Sequence, residues 1–396
     1  MEKKKIQNCI RIAIIVVLSM MIGSAITMFI KTDYKVEKKV SLNNKYSEFE
    51  PLYEAYDAIM KNYYDDVSSK NLIDGALNGM LESLNDKHSM YFDKQSKEEF
   101  DAELSGTYYG IGAQIQLTSD GNVKIVKIFD DSPAQKAGLK VNDIFVSVDG
   151  ESTEGMNATD VASKLKSTDV KKSKIIVNRD GENIEFNVIK ENVTLFSVSS
   201  EMLKSSNKNI GYIGVSIFGQ KTYTQFYDAL TKLEKQDMDS LIIDLRGNTG
   251  GYLYTVTNML ELFIDKGNVI YKMQTNEGIT DYKTTTSKSK NYKVVILIDE
   301  SSASASEIMA AAMKEKYSAV LVGKTTYGKG TVQTTKELSN GAMIKYTIEK
   351  WLTPSGKNID GEGIKPDYEV DMTDEYTNNP SNENDVQLQK ALELLK

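Results

Sequence analysis

Between Asn209 and Gly323, apolar runs the length of a strand alternate with amphipathic runs the length of a helix. "NIGYIGVSIF" is followed by "TYTQFYDALTKLEK", "SLIIDLRGN" by "YLYTVTNMLELFI", and "VVILID" by "SEIMAAAMKEK" and then "AVLVG". Strands separated by helices can pair in parallel through crossovers, so this half of the chain reads as an α/β layer on a mixed, largely parallel sheet. Residues 108–190 have a different texture of short alternating strands and turns ("YGIGAQIQL", "GNVKIVKIF", "DIFVSVDG", "KIIVNRDGENIEFNVI"), a small β-rich unit with two helices. Residues 46–104 are helical, with Leu52, Tyr56, Ile59 and Tyr63 at helical spacing, and "NDVQLQKALELLK" closes the chain with an amphipathic helix. A length of 396 residues fits two or three domains of this kind.

The N-terminus adds a membrane expectation. Lys3, Lys4, Lys5 and Arg11 precede nineteen uncharged residues, Ile12 to Ile30. At about 1.5 Å per residue a helix of this length spans a hydrocarbon core of roughly 30 Å. Basic residues before the span favour a cytoplasmic N-terminus, which places the rest of the chain outside the cell membrane. The competing reading is a cleaved signal peptide, for which Gly23-Ser24-Ala25 supplies small residues, although the apolar stretch continues beyond it. Cys9, the one cysteine, lies before the span, so the exported part folds without disulfides and has no cysteine for a metal site. With 48 Lys+Arg against 56 Asp+Glu and a net charge of -8, the chain lacks the basic footprint of a nucleic-acid binder.

The chemistry concentrates in "SSASASEIMAA", Ser301 to Ala311, where serines sit at a strand-to-helix turn. Ser304-Ala305-Ser306-Glu307 fits the capping box S-x-x-E, and a cap is compatible with a nucleophile because free N–H groups at a helix start also suit an oxyanion. The single histidine, His88, lies in the polar turn "NDKHSMYF", where it reads as a turn residue rather than a base. That leaves lysine. Lys329 lies between Gly328 and Gly330 in "TTYGKGTVQT", and serine–lysine pairs are an established variant of serine–histidine catalysis. An ordinary lysine titrates at about 10.4, so burial must bring it down by roughly three pH units for it to serve as a base.

Taken in order, "SASASEIMAAAMKE", "VGKTTYGKGTVQT" and "WLTPSGKNIDGEGIKPD" resemble the carboxyl-terminal processing proteases, the S41 serine peptidases with an embedded PDZ domain. "LNDKHSMYF", "SPAQKAGLKVNDIFVSVDG" and "LIIDLRGNTGGYL" have family counterparts, so the resemblance covers nearly all of the chain from about residue 46. It implies Ser304 as nucleophile, Lys329 as general base and Gln333 as the residue orienting the lysine. It also implies an oxyanion hole from the N–H groups of Ala305 and a glycine of "GNTGG", Gly250 or Gly251, with Gly250 preferred. Tyr109-Gly110-Ile111-Gly112 resembles the PDZ loop that captures a terminal carboxylate, with "NATDVASKLKS" as the groove wall. Tyr327 replaces the usual phenylalanine, and Asn142 stands where the PDZ pattern has glycine.

The implied fold is an α/β protease core with an inserted β-rich PDZ domain, a helical N-terminal region and one transmembrane helix. The expected segments are a cytoplasmic tail (1–11), an anchor (12–30), the helical region (46–104), the PDZ domain (105–190), the protease core (191–372) and a linker with a C-terminal helix (373–396). No cofactor or metal is expected. The expected partners are polypeptides with free C-termini and a second copy of the chain, joined through residues 46–104 and 383–396. The expected role is proteolysis, with signalling by cleavage of a membrane-associated regulator as one use. The alternative from another class is a catalytically silent PDZ adaptor.

Overall fold

The computed structural model describes residues 47–166, 171–287 and 290–396. The proposed anchor Ile12–Ile30, its basic flank and Cys9 lie outside the described residues. Among the described residues, no helix is long and apolar enough to cross a membrane. The chain divides into two compact units, one ending at Met80 and one running from Leu81 to Lys396.

The first unit holds helix α1 (Glu50–Asn62) and most of α2 (Ser69–Glu82). A hydroxyl pair joins them, Tyr56 to Ser69 at 2.7 Å. The expected apolar spacing is present, but Leu52, Ile59 and Tyr63 stay exposed, and Tyr63 itself is the extended residue that ends α1.

The second unit opens with β1 (Met90–Phe92) and α3 (Lys94–Ser105), whose N-cap Asp93 accepts from the Ser96 N–H. A β-rich module follows: β2 (Thr107–Gly110), β3 (Ala113–Leu117), β4 (Val123–Ile128), α4 (Pro133–Ala137), β5 (Ile144–Val148), β6 (Glu151–Ser152), α5 (Ala158–Lys166), β7 (Lys172–Arg179), β8 (Glu182–Ile189) and β9 (Glu191–Thr194). Its sheet runs β3-β4-β5-β7-β8, with β6 on β5 and β2 paired to β9. Ile125, Phe145, Ile175 and Val177 form its own core with Val161 and Leu165 of α5. Asn142 takes φ 76, the left-handed conformation that its place in the glycine-type turn required.

The remaining elements are β10 (Val198–Ser205), β11 (Lys208–Val215), α6 (Thr222–Glu234), β12 (Ser240–Asp244), α7 (Leu253–Leu260), β13 (Val269–Thr275), β14 (Gly278–Lys283), β15 (Lys293–Ile298), α8 (Ala305–Ala312), β16 (Val320–Gly323), β17 (Thr331–Glu337), β18 (Met343–Leu352), β19 (Tyr368–Glu369), α9 (Asp374–Asn378) and α10 (Val386–Leu394). The central sheet runs β10-β11-β12-β15-β16-β19, parallel except for the β10–β11 hairpin. It is covered on both faces, which is why β12 and β15 read as unbroken apolar runs. Leu241, Ile243, Val294, Ile296 and Ile298 point to the large cluster with α6, α7 and α8. Ile242, Val295 and Leu297, one residue out of phase, point to the other face.

That second face is closed by α10, whose Leu388 and Ala391, with Leu395 just beyond its end, are buried against it. The C-terminal helix therefore does not offer this apolar stripe to a second chain, contrary to the expectation for residues 383–396: the stripe packs inside its own chain. A second, antiparallel sheet, β1-β18-β13-β14 with β17 on β18, carries the lysine loop.

Candidate active site

Strand β15 delivers the chain into the turn Asp299–Ser304, and α8 starts at Ala305. The serines of this turn are not equivalent. Ser302 Oγ donates to the Leu245 carbonyl (2.8 Å) and to Asp299, and Ser306 Oγ donates to the Asn248 carbonyl (2.8 Å), both fully buried. Ser301 is exposed. Ser304 alone has φ 55, ψ −113, a strained conformation for a residue with a Cβ, of a kind that costs about 1–3 kcal/mol unless the surroundings enforce it. That backbone strain singles out Ser304.

The enforcement comes from Glu307, which is completely buried. Oε2 accepts the N–H of Ser304 (2.8 Å) and the N–H of Lys329 (2.9 Å). Oε1 accepts the Gly328 N–H (2.7 Å) and the Thr326 hydroxyl (2.6 Å). The capping glutamate read from the sequence thus does more than close a helix: the residues expected as nucleophile and base hang from one oxygen atom. Nothing in the sequence pattern signalled this second role, because the partners are 19 to 22 positions away.

The glycines beside Lys329 permit its placement. A Cβ on Gly328 would lie 2.9 Å from the Gly363 nitrogen, and one on Gly330 would lie 2.7 Å from the Asp360 Cβ. The Lys329 carbonyl accepts from the buried Trp351 indole at 2.7 Å. The amine is half-buried, and burial brings its pKa down from 10.5 to about 8, helped by the neighbouring Lys345 ammonium and opposed by Glu307 and Asp86. Lys345, on β18, is itself lowered by burial and rests over the rings of Phe92 and Phe100 at 5.3 and 5.4 Å. No hydrogen bond joins Lys329 Nζ to Ser304 Oγ among the described residues.

Gln333 departs from the expectation. Its amide donates to Thr331 Oγ1 (2.9 Å) and Thr347 Oγ1 (3.0 Å), and among the described residues it makes no hydrogen bond to Lys329. The register shifts at Val332/Gln333, leaving Ile348 of β18 unpaired, so Thr347 stands opposite Gln333 across the β17–β18 ladder. Thr347 in turn donates to Asp86 at 2.6 Å. Burial alone would raise the Asp86 carboxyl, but bonds from Ser89, Thr347 and the His88 N–H outweigh it and hold it below the usual range. His88 is a turn residue as expected, its N–H bonded to Asp86 Oδ1 at 3.0 Å, yet its ring lies in this neighbourhood, edge-on to Tyr327 at 6.3 Å. Burial, then the charges of Lys329 and Lys87, depress its pKa.

The two glycines that the sequence could not separate are separated by their surroundings. Gly250, at φ 112, faces the serine turn: a Cβ there would lie 2.8 Å from Ser304 Cβ and 3.2 Å from the Ala305 nitrogen. A Cβ on Gly251 would instead lie 2.5 Å from the Phe218 carbonyl oxygen. Ala305 is the first residue of α8, so its N–H belongs to the orphan donors of that helix start. The Gly250 N–H, however, donates to Asn248 Oδ1 at 2.9 Å. The expected hole is half-built, because the side chain of buried Asn248 occupies one of its two donors.

Behind this loop, Arg246 is gripped from two sides. It bonds Asp244 through Nε (2.9 Å) and, from α10, Asp385 (2.8 and 3.0 Å) and Gln387 (3.0 Å). In the β-rich module, the loop Tyr109–Gly112 is pinned by the Ile111 carbonyl accepting from Ala134 (2.7 Å) and the Gly112 carbonyl accepting from Phe129 (3.0 Å). Tyr109 pairs with Asn192 across β2–β9, while Gly110 and Ile111 are buried under α5. These four residues lie in a different part of the unit from Ser304.

The profile of peptidase family S41 matches residues 209–370, that of a PDZ domain matches 125–179, and that of the activating protease CtpB N-terminal domain matches 19–96. The chain is 36% identical over 367 residues to carboxy-terminal processing protease CtpA of Bacillus subtilis, covering 92% of this chain and 78% of the relative. It is 37% identical over 329 residues to CtpB of the same organism, covering 82% and 68%. A solved structure of a Bacteroides fragilis protein assigned to the S41 proteases shares the fold, with a TM-score of 0.53 at 16% identity over 84% of this chain and 90% of that one. The chain is thus a serine peptidase with a PDZ domain. It belongs to peptidase family S41, beside the carboxy-terminal processing proteases.

Proposed function

We propose that this chain is a membrane-anchored, exported endopeptidase that binds polypeptide C-termini through its PDZ domain and cuts by an acyl-enzyme route using Ser304 and Lys329. The observation that carries the reading is the shared Glu307 oxygen, which couples the placement of the serine to that of a lysine whose amine is brought down to about 8. Neutral Lys329 Nζ takes the proton from Ser304 Oγ as that oxygen attacks the scissile carbonyl. The oxyanion forms against the Ala305 N–H and, once Asn248 lets go, against the Gly250 N–H. The lysine ammonium protonates the leaving amine, and a water deprotonated by the lysine then releases the acyl group. Gln333 acts at one remove, holding Thr347 and through it Asp86, whose charge reaches the Lys329 amine.

Ile12–Ile30 serves as a retained single-pass anchor with the N-terminus cytoplasmic, which puts the catalytic unit outside the membrane. A homodimer through residues 46–104 is supported by the uncovered apolar side chains of α1 and α2. Cleavage of a membrane-associated regulator is the signalling role that such a placement suits.

The test is cleavage of a peptide with a free C-terminus by the wild-type chain, Ser304→Ala and Lys329→Ala. Both variants are expected to fold and to lose cleavage. Full activity in either removes the mechanism, and no cleavage by the wild type on any free-ended peptide favours a silent PDZ adaptor.

A further inference from the structure

Strands β12 and β15 are parallel neighbours in the central sheet, so the loops that leave their C-terminal ends lie side by side. The first loop, Leu245–Gly251, brings Gly250 up to Ser304, and the second, Asp299–Ser304, carries Ser304 itself. An oxyanion hole drawn from both loops depends on how they are spaced. Neutral groups set part of that spacing: the Ala303 N–H donates to the Asn248 carbonyl at 3.0 Å, and the Ser302 hydroxyl to the Leu245 carbonyl at 2.8 Å. The charged link is Asp299. Its half-buried carboxylate faces both loops. Within its own loop, Oδ1 accepts the N–H of Ser301 (3.1 Å) and of Ser302 (2.9 Å). Across the gap, both oxygens accept the Gly247 N–H, each at 3.0 Å. Closing the Asp299–Ser302 turn takes only Oδ1; Oδ2 bonds nothing but Gly247 among the described residues. Gly247 has φ 71, and a Cβ on it would meet nothing within 4 Å, so the glycine answers a left-handed backbone and not a lack of room.

We propose that Asp299 is a positioning residue for the peptidase reaction. By holding Gly247, three residues before Gly250, it fixes the base of the oxyanion loop against the serine turn, so that the Gly250 N–H is directed at the oxyanion when it leaves Asn248. Asp299 acts through Gly247 and not on the substrate. The inference rests on the reading of Ser304 as nucleophile and Gly250 as oxyanion donor.

Asp299→Asn separates the two tasks. The amide oxygen, placed at Oδ1, keeps the Ser301 and Ser302 bonds, while its NH2 group, placed at Oδ2, meets the Gly247 N–H donor to donor. A loop released by about 1 Å should lower kcat roughly a hundredfold. KM should stay at the wild-type value, because the oxyanion bond is made only in the transition state. A second readout uses a peptide aldehyde carrying the residues ahead of the scissile bond in a peptide that the wild type cuts, beside the corresponding alcohol. Ser304 Oγ adds to the aldehyde carbonyl and puts a tetrahedral oxygen in the hole, which the alcohol cannot do. The inhibition constant of the aldehyde should rise by the factor by which kcat falls, and that of the alcohol should not move. A merely structural role would shrink the active fraction, and kcat with it, while leaving both inhibition constants alone. Wild-type kcat, lost kcat with wild-type aldehyde inhibition, or equal losses for aldehyde and alcohol each overturn the proposal. If Asp299→Asn does not fold, Asp299→Ser takes its place with the same expectations, since a serine can close the Ser301–Ser302 turn but is too short to reach Gly247. A wild-type chain that cuts no peptide brings down the Ser304 reading and the proposal with it, a result distinct from the others.

Discussion

Glu307→Gln separates the two roles open to this side chain. The carboxylate accepts four hydrogen bonds, two at each oxygen. An amide keeps one acceptor oxygen and turns an NH2 group toward the other two donors, so two bonds to a charged group are lost. At about 1.5–3 kcal/mol each the loss is about 3–6 kcal/mol, readable as a fall in the urea midpoint at constant slope. A residue that only capped α8 would cost about 1 kcal/mol. Activity discriminates further. Freed from the shared oxygen, the Ser304 and Lys329 backbones need drift by only about 1 Å to lower kcat roughly a hundredfold. The electrostatic effect is separate, because Glu307 raises the Lys329 amine and its neutralisation should move the acid limb of the pH–rate profile to lower pH. Measured together, kcat falls while the limb moves down. A variant with wild-type kcat and a midpoint change of only cap size refutes the view that this carboxylate assembles the site.

Two further outcomes follow from burial and charge. Lys329→Met should stabilise the fold, since holding a lysine at about 8 instead of 10.5 costs the native state about 3 kcal/mol at neutral pH. Below pH 8 both folded and unfolded chains carry the proton and the penalty is complete. Between about 8 and 10.5 only the unfolded chain still binds it, so wild-type stability rises with pH and the advantage of Met disappears; denaturation at pH 7 and pH 10.5 checks this. Asp385→Ala removes two bonds to Arg246 and the N-cap bond to Leu388, and should lower stability by about 3 kcal/mol while opening α10 to limited proteolysis.

What was legible in the sequence was local. Ser304 and Lys329 announce themselves through a strand-to-helix turn and a glycine-flanked lysine, and the parallel sheet through apolar runs on β11, β12 and β15. The amphipathic stripe of α10 says that it is buried, but not against which surface; its docking face is set by the other side of a sheet whose strands lie far earlier in the chain. Asp86, His88 and Lys345 come together because β1 pairs with β18, Met90 opposite Lys345, a register that no spacing rule reports. The bond from Gln333 to Thr347 follows from a register shift across β17–β18 that leaves Ile348 unpaired, which no spacing rule reports. Gly250 and Gly251 both have positive φ, so only the approach of Ser304 tells them apart.

The amine of Lys329 can be titrated directly by following its side-chain nitrogen resonance in the 15N-lysine-labelled chain, assigned by comparison with Lys329→Met. An inflection near 8 is the result required of a lysine that replaces histidine as the base. An inflection at the ordinary 10.5, with Ser304 still cutting peptide at neutral pH, would mean that some other group takes the proton.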